Sequence, residues 1–242
     1  MPGVDATFRS PGHGALVPAR FVERPNRFVV MARCRGRLVK AASRDPGRLR
    51  ELLWPGARLR LAPAPPGSAR KTRYTVALVR HRRTWVSLVP ALANDVLATA
   101  LRRGAVPGLR GARVVAREVT HGRSRFDMLL GGRGGRRLVE VKSATLVEGR
   151  LALFPDAPTL RGARHLRELS AHVRAGGRAA VVFVVQRADA DALCPHAGND
   201  PAFAAALREA RRAGVRVLAY ACRVSPRGVA LARRIPVLAS RA

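Results

Sequence analysis

The stretch Arg178 to Gln186, RAAVVFVVQ, restricts the fold more than any other part of the chain. From Ala179 to Val185 it is wholly apolar, the longest such run in the sequence. A strand with one face in water alternates apolar and polar side chains, so a strand without a polar face must be covered on both sides. The flanking sequence provides the cover. Asn94 to Arg103 has a helical pattern with Asn94 as cap and Gly104 as stop; Leu160 to Arg174 sets Ala163, Leu166, Leu169 or Ser170, and Val173 on one helical face. A third helix is expected from Pro201 to Ala213, ending at Gly214. Strands are expected at about Arg113 to Val119, Arg125 to Leu130, Leu138 to Ser143 and Val215 to Tyr220, with one or two more at the end. An antiparallel meander passing into β-α-β crossovers makes a mixed sheet flanked by helices.

The first third of the chain reads differently. ALVPARFV, RFVVMARC, GRLVKAA and ARLRLAP are short apolar segments divided by Gly and Pro, as in a small β-barrel. An OB-like barrel is the variety that most often grips oligonucleotides. Between them DPGRLRELL reads as one helical turn or a short helix, with Asp45 as cap and Pro46 at its first position. The PAPPG stretch, Pro63 to Gly67, is either a linker or a loop inside the barrel. The chain is thus expected to be α/β (α+β), with an OB-like domain over residues 1–88 and a second domain over 89–242.

Within the second domain, SRFDMLLGGRGGRRLVEVKS, Ser124 to Ser143, has the form of a β-hairpin. Asp127 lies on its first strand, and strand alternation puts Glu140 and Lys142 on one face of the second. Two carboxylates can hold Mg²⁺ or Mn²⁺, which favour oxygen ligands, and an ammonium can orient or help deprotonate a water. That is what hydrolysis of a phosphodiester requires. The competing reading is an ordinary cross-strand ion pair. Two observations favour the first. Six of the fifteen acids, Glu118, Asp127, Glu140, Glu148, Asp156 and Glu168, fall between residues 118 and 168 of a chain with a formal net charge of +31. Lysine is rare as well: 43 of the 46 basic residues are Arg, and Lys142 is one of three lysines. The tip between the strands, GGRGGRR, suits contact with a substrate backbone.

So large a positive charge points to a polyanionic partner, nucleic acid first. The basic residues are spread along the chain, without the basic amphipathic helix that would favour a membrane surface. Arg70, Lys71 and Arg73 lead into a segment where Arg80, Arg82 and Arg83 alternate with Tyr74 and Trp85, suiting phosphate tracking and base stacking. The alternative places Tyr74 and Trp85 in the core. Arg125 shares the face of Asp127 and can hold a substrate phosphate or pair with Glu140. Arg161 and His165 are i and i+4 near a helix N-terminus, where together they can clamp a phosphate. Asp156 and Thr159 are candidate caps of that helix, and Glu168 a partner for Arg164 or Arg161.

Cys34, Cys194 and Cys222 lack metal-ligand spacing and read as small core residues in a reducing compartment. The first fourteen residues have no apolar core for a signal peptide, and no stretch is long enough to span a membrane. A cytoplasmic protein is expected, and a homo-oligomer is permitted.

The blocks RKTRYT (70 to 75), REVTHGRSRFDMLL (117 to 130), VEVKSATL (139 to 146) and above all FPDAPTLRGARHLREL (154 to 169) resemble the sugar fermentation stimulation protein A family, SfsA, of bacterial proteins. AGGRAAVVFVVQ and GVRVLAY do so too. The resemblance implies an OB-like domain joined to a domain of the PD-(D/E)xK nuclease-like superfamily, DNA as the partner, and a regulatory link to sugar metabolism. It matches Asp127 to the motif's first acid, Glu140 to its second and Lys142 to its lysine. The chain departs from the pattern at Thr99, where the family usually carries Glu on the helix before the sheet; Asp95 lies four residues earlier on the same helical face. It departs again at Ala42 to Gly47, ASRDPG, where a His is absent and Asp45 replaces Asn.

Overall fold

Alternation in the first third gives the barrel its inside. In the computed structural model, which describes residues 15–240, the strands are β1 (Val17–Asn26), β2 (Val29–Cys34), β3 (Arg37–Ala42), β4 (Arg58–Pro63), β5 (Tyr74–His81) and β6 (Thr84–Ser87). Val30, Ala32 and Cys34 point inward from β2 while the residues between them do not. The sheet order is β3-β2-β1-β4-β5-β6, and a parallel pairing of Ala41 with Tyr74 and Ala42 with Thr75 closes it into the OB-like barrel. PAPPG is a loop within it, between β4 and β5.

The segment after β3 forms a single turn, in which the Leu53 N–H donates to the Leu49 carbonyl at 2.9 Å. Leu49 has φ of +53°, which stops a helix from forming before it. Leu49 and Leu52 are fully buried and plug the barrel. Asp45 caps no helix: Oδ1 accepts from the Gly47 N–H at 2.9 Å and Oδ2 from Thr145 Oγ1 at 3.4 Å.

The remainder comprises α1 (Leu92–Arg102), β7 (Arg113–His121), β8 (Ser124–Gly131), β9 (Arg137–Ala144), β10 (Val147–Glu148), β11 (Leu151–Phe154), α2 (Leu160–Arg174), β12 (Ala179–Val185), β13 (Ala192–Pro195), α3 (Pro201–Arg212), β14 (Arg216–Ser225) and β15 (Gly228–Ile235). The large sheet runs β15-β14-β12-β9-β8-β7, with β9, β12 and β14 parallel and the outer strands antiparallel. All seven residues of β12 are buried. Val181, Phe183 and Val185 pack with α2 and α3, while Ala180, Val182 and Val184 pack with α1. A small sheet, β10-β11-β13, was not expected; its strands are two to four residues long, too short to display a period.

The helix ends differ from expectation in useful ways. α1 begins at Leu92, so Asn94 lies inside the helix and its amide is free to reach elsewhere. Thr159, not Asp156, caps α2, its Oγ1 accepting from the Gly162 N–H at 3.0 Å. Asp156 instead accepts from the Leu49 N–H of the barrel at 3.1 Å. Asp200 caps α3 through the Phe203 N–H at 2.8 Å and also accepts from the Thr159 N–H at 2.7 Å, so one carboxylate holds both helix starts. Asp200→Ala is expected to lower stability by about 1–2 kcal/mol, read from urea denaturation.

The barrel and the large sheet are joined by polar contacts and by a shared apolar layer. Ser87 N–H donates to the Gln186 carbonyl, the Gln186 amide to the Val89 carbonyl and Ser143 Oγ, and Leu78 packs with the α1 layer. Near this junction burial pushes the Glu51 carboxyl up to about 7, with Asp156 and Asp45 adding to the rise and Arg187 opposing it. A carboxyl raised in the folded state binds its proton more tightly there, so stability falls as pH climbs from about 4.5 to about 7. Glu51→Gln is therefore expected to raise the melting temperature at pH 8 and to leave it unchanged at pH 4.

All three cysteines are buried thiols outside any disulfide, and burial pushes the Cys222 thiol up to about 12. No helix among the described residues is long and apolar enough to cross a membrane. The reading of residues 1–14 falls outside the described residues.

Candidate active site

The β8–β9 ladder pairs Leu130 with Arg137, Leu129 with Leu138 and Met128 with Val139, and stops there. Continued by one step it would set Asp127 opposite Glu140. Instead the strands part, and the Asp127 carboxylate takes over the ladder's work: Oδ2 accepts from the Val141 N–H at 2.7 Å. Its other oxygen, Oδ1, accepts from the Asn94 amide of α1, also at 2.7 Å. The helical pattern assigns Asn94 to a cap, and nothing local to it marks the contact with β8.

Glu140 and Lys142 lie on the α2 face of β9, as alternation requires. Glu140 Oε1 accepts from Lys142 Nζ at 2.6 Å and meets His165 Nδ1 at 2.7 Å. Arg161 Nε donates to His165 Nε2 at 3.3 Å, which assigns the proton of a neutral imidazole to Nδ1, facing Glu140. The His165 ring is 1% exposed and stands edge-on to Phe126. Both nitrogens are thus engaged: in place of the phosphate clamp read from the sequence, His165 holds Glu140. Glu140 Oε2 is buried and has no hydrogen-bond partner.

Electrostatics divide the two acids. Burial pushes the Asp127 carboxyl above its ordinary value and the charge of Glu140 adds to this, against the Val141 N–H, Asn94 and Lys142. Burial alone would raise Glu140 as well, but His165 and Lys142 outweigh it and hold Glu140 below the usual value. Glu140 is thus a settled carboxylate beside a more easily protonated one.

The other candidates are dispersed. Arg125 is exposed and pairs with Glu118 at 2.8 Å rather than with Glu140. Asp95 pairs with Arg117 at 2.7 Å and Thr99 Oγ1 accepts from Arg102 at 2.9 Å, so α1 contributes Asn94 and no acid. Arg70, Lys71 and Arg73 occupy an exposed loop before β5 rather than a strand. Trp85 packs on the α1 layer with the guanidinium groups of Arg60 and Arg80 over its ring at 5.7 and 5.3 Å, and Tyr74 packs on the barrel core. Glu168 faces Arg164 at 4.0 Å. No group of three or more His, Cys, Asp or Glu side chains arranged to hold a metal ion is present among the described residues.

An OB-like barrel followed by a helix-flanked mixed sheet, with two acids and a lysine at a parted hairpin, defines a two-part α/β protein of the OB-plus-mixed-sheet class. Residues 22–88 match the family model described as the SfsA N-terminal OB domain, and residues 91–228 match the sugar fermentation stimulation protein RE domain. The chain belongs to the sugar fermentation stimulation protein family. It is 51% identical over 217 residues to a homolog from Moorella thermoacetica, covering 89% of this chain and 94% of that protein. A homolog from Desulforamulus reducens is 43% identical over 222 residues, covering 92% of each. Among solved structures, Pyrococcus furiosus SfsA in complex with Ca²⁺ superposes with a TM-score of 0.84 at 32% identity, covering 92% of this chain and 96% of that one.

Proposed function

We propose that this protein binds DNA and hydrolyses its phosphodiester bonds with Mg²⁺ or Mn²⁺, working in the cytoplasm, with residues 1–88 gripping the strand and residues 89–242 cutting it. The observation that carries this reading is the buried, unpartnered Oε2 of Glu140 beside a second carboxylate. A buried carboxylate oxygen without a donor is costly, and a cation relieves it. Two carboxylates suit Mg²⁺, which is usually held by one or two of them together with water and phosphate. Asp127 and Glu140 would hold the ion. When bound it would neutralise charge on the phosphate and supply an acidified water. The Ca²⁺ in the complex with Pyrococcus furiosus SfsA supports a divalent ion in this family.

The chain's own groups do the rest. Asn94 and the Val141 N–H fix the Asp127 carboxylate, and His165, itself held by Arg161, fixes Glu140. Lys142 would donate to a water at the Glu140 edge or, once deprotonated, take a proton from it; a guanidinium can donate but cannot take the proton. Arg70, Lys71, Arg73 and Arg125 supply exposed phosphate contacts, and Arg161 acts through His165.

Supercoiled plasmid incubated with the protein is expected to be nicked with Mg²⁺ and to stay intact with EDTA. Binding is expected to weaken steeply with salt, the logarithm of affinity falling linearly with that of salt concentration. A second reading, a DNA-binding regulator of sugar metabolism without catalysis, is favoured by the engagement of Asp95 and Thr99 away from the site. Salt-dependent binding with no cleavage under either metal would select it.

A further inference from the structure

Three neighbouring strands of the large sheet open with an arginine on one face. Arg137 begins β9, Arg178 directly precedes β12 and Arg216 begins β14. Alternation places all three on the α1 side: Val139, Ala180 and Leu218, two residues on from each, belong to that apolar layer. Glu140 and Lys142 project from the other side. At this end the loop from Gly108 to Ala112 meets the tip of the β8–β9 hairpin, and between them lies a cavity of about 460 Å³. Arg110 and Arg133 line it with the three strand arginines, and no Asp or Glu does.

The walls are built tightly. A Cβ on Gly132 would come within 2.5 Å of the Gly111 carbonyl, so glycine there lets the two loops close on each other. Arg178 donates to the Gly134 carbonyl and Arg216 to the Gly108 carbonyl, which pins both loops to the strand starts. Arg137 is half-buried; burial lowers its pKa, and repulsion from Arg216 and Arg178 lowers it further. Five guanidinium groups therefore converge on a cavity of ligand size without an internal counter-charge.

We propose that this cavity is a binding site for a linked di- or triphosphate anion. Guanidinium forks pair two oxygens at once, and several forks around one cavity match a chain of phosphates better than a single one. The volume leaves room for an organic group attached to the phosphates. The GGRGGRR tip then forms a wall of this site rather than a contact with the strand being cut.

The test is isothermal titration of the full chain with sodium tripolyphosphate, ATP, AMP and inorganic phosphate. Arg110→Gln with Arg133→Gln alters two exposed positions, Arg137→Gln the half-buried one, and Arg208→Gln with Arg212→Gln on α3 removes equal charge from the opposite face of the sheet. Saturable binding of tripolyphosphate, tighter than inorganic phosphate, is expected, weakened roughly tenfold or more by both cavity variants and unchanged by the α3 pair. ATP binding as well as tripolyphosphate, and AMP poorly, would assign the source to a nucleotide; tripolyphosphate alone would assign it to an inorganic chain. A melting temperature like wild type without anion excludes unfolding, and the exposed pair guards against damage by Arg137→Gln. Equal weakening by the α3 pair, or uptake that never saturates, would reduce the site to diffuse attraction and overturn the proposal. Cavity variants that weaken only an oligonucleotide would also overturn it, placing the cavity on the nucleic-acid track. Asp127→Ala should bind the anion normally, which separates this site from the proposed cleavage site.

Discussion

Asp127→Ala is expected to reduce metal-dependent nicking of DNA by about 100-fold or more, the loss typical when a charge-stabilising group is removed from an enclosed site. The substitution takes away one of two carboxylates and leaves the Asn94 amide and Val141 N–H without the acceptor they share. A structural role alone would produce a similar loss through misfolding, so Lys142→Arg is the sharper companion. Arginine keeps the charge beside Glu140 and an ion pair like the 2.6 Å one of Lys142, but it cannot give or take a proton at neutral pH. Lys142→Arg is accordingly expected to melt within a few degrees of wild type and to nick at least ~100-fold more slowly. Plasmid nicking rates beside a thermal melt read both. Wild-type rates in either variant would remove Asp127 or Lys142 from the chemistry.

Phe183→Ala is expected to cost about 3–5 kcal/mol, a large share of the ~5–15 kcal/mol that holds a typical domain together. Phe183 is fully buried at the middle of β12, edge-on to Phe154 at 5.4 Å and Phe203 at 6.4 Å between ring centres. Strands lie on both sides of it and α3 lies across it, so the cavity cannot collapse. Guanidinium denaturation should show a lower midpoint with an unchanged slope. A loss under about 1 kcal/mol would mean that this layer repacks freely.

The strand that predicts this effect was the most legible part of the sequence, because seven apolar residues in a row admit few environments. The hairpin acids were legible for a related reason: strand alternation alone puts Glu140 and Lys142 on one face, and their pairing follows. What alternation cannot convey is where a ladder stops. The parting of β8 from β9 after Met128, which turns Asp127 into the acceptor of the Val141 N–H, goes with the Asn94 contact from α1 and has no local signal. Asn94, Asp200 and Arg187 were missed on similar grounds. Arg187, 1% exposed, donates to the Thr145 carbonyl and pairs with Asp189, yet in a chain with 43 arginines nothing local distinguishes it. His165 was singled out, but its partner lies 25 residues away on another element, so the sequence suggested a ligand contact where the fold made a hydrogen bond to Glu140.

On the proposed function, a divalent ion sits between Asp127 and Glu140 in the parted hairpin. Crystals of the protein soaked in Mn²⁺ test it directly through the anomalous signal. A peak touching both carboxylates in wild type and none there in Asp127→Ala is expected; Mn²⁺ bound elsewhere, with the Glu140 edge empty in the wild type, would rule this site out.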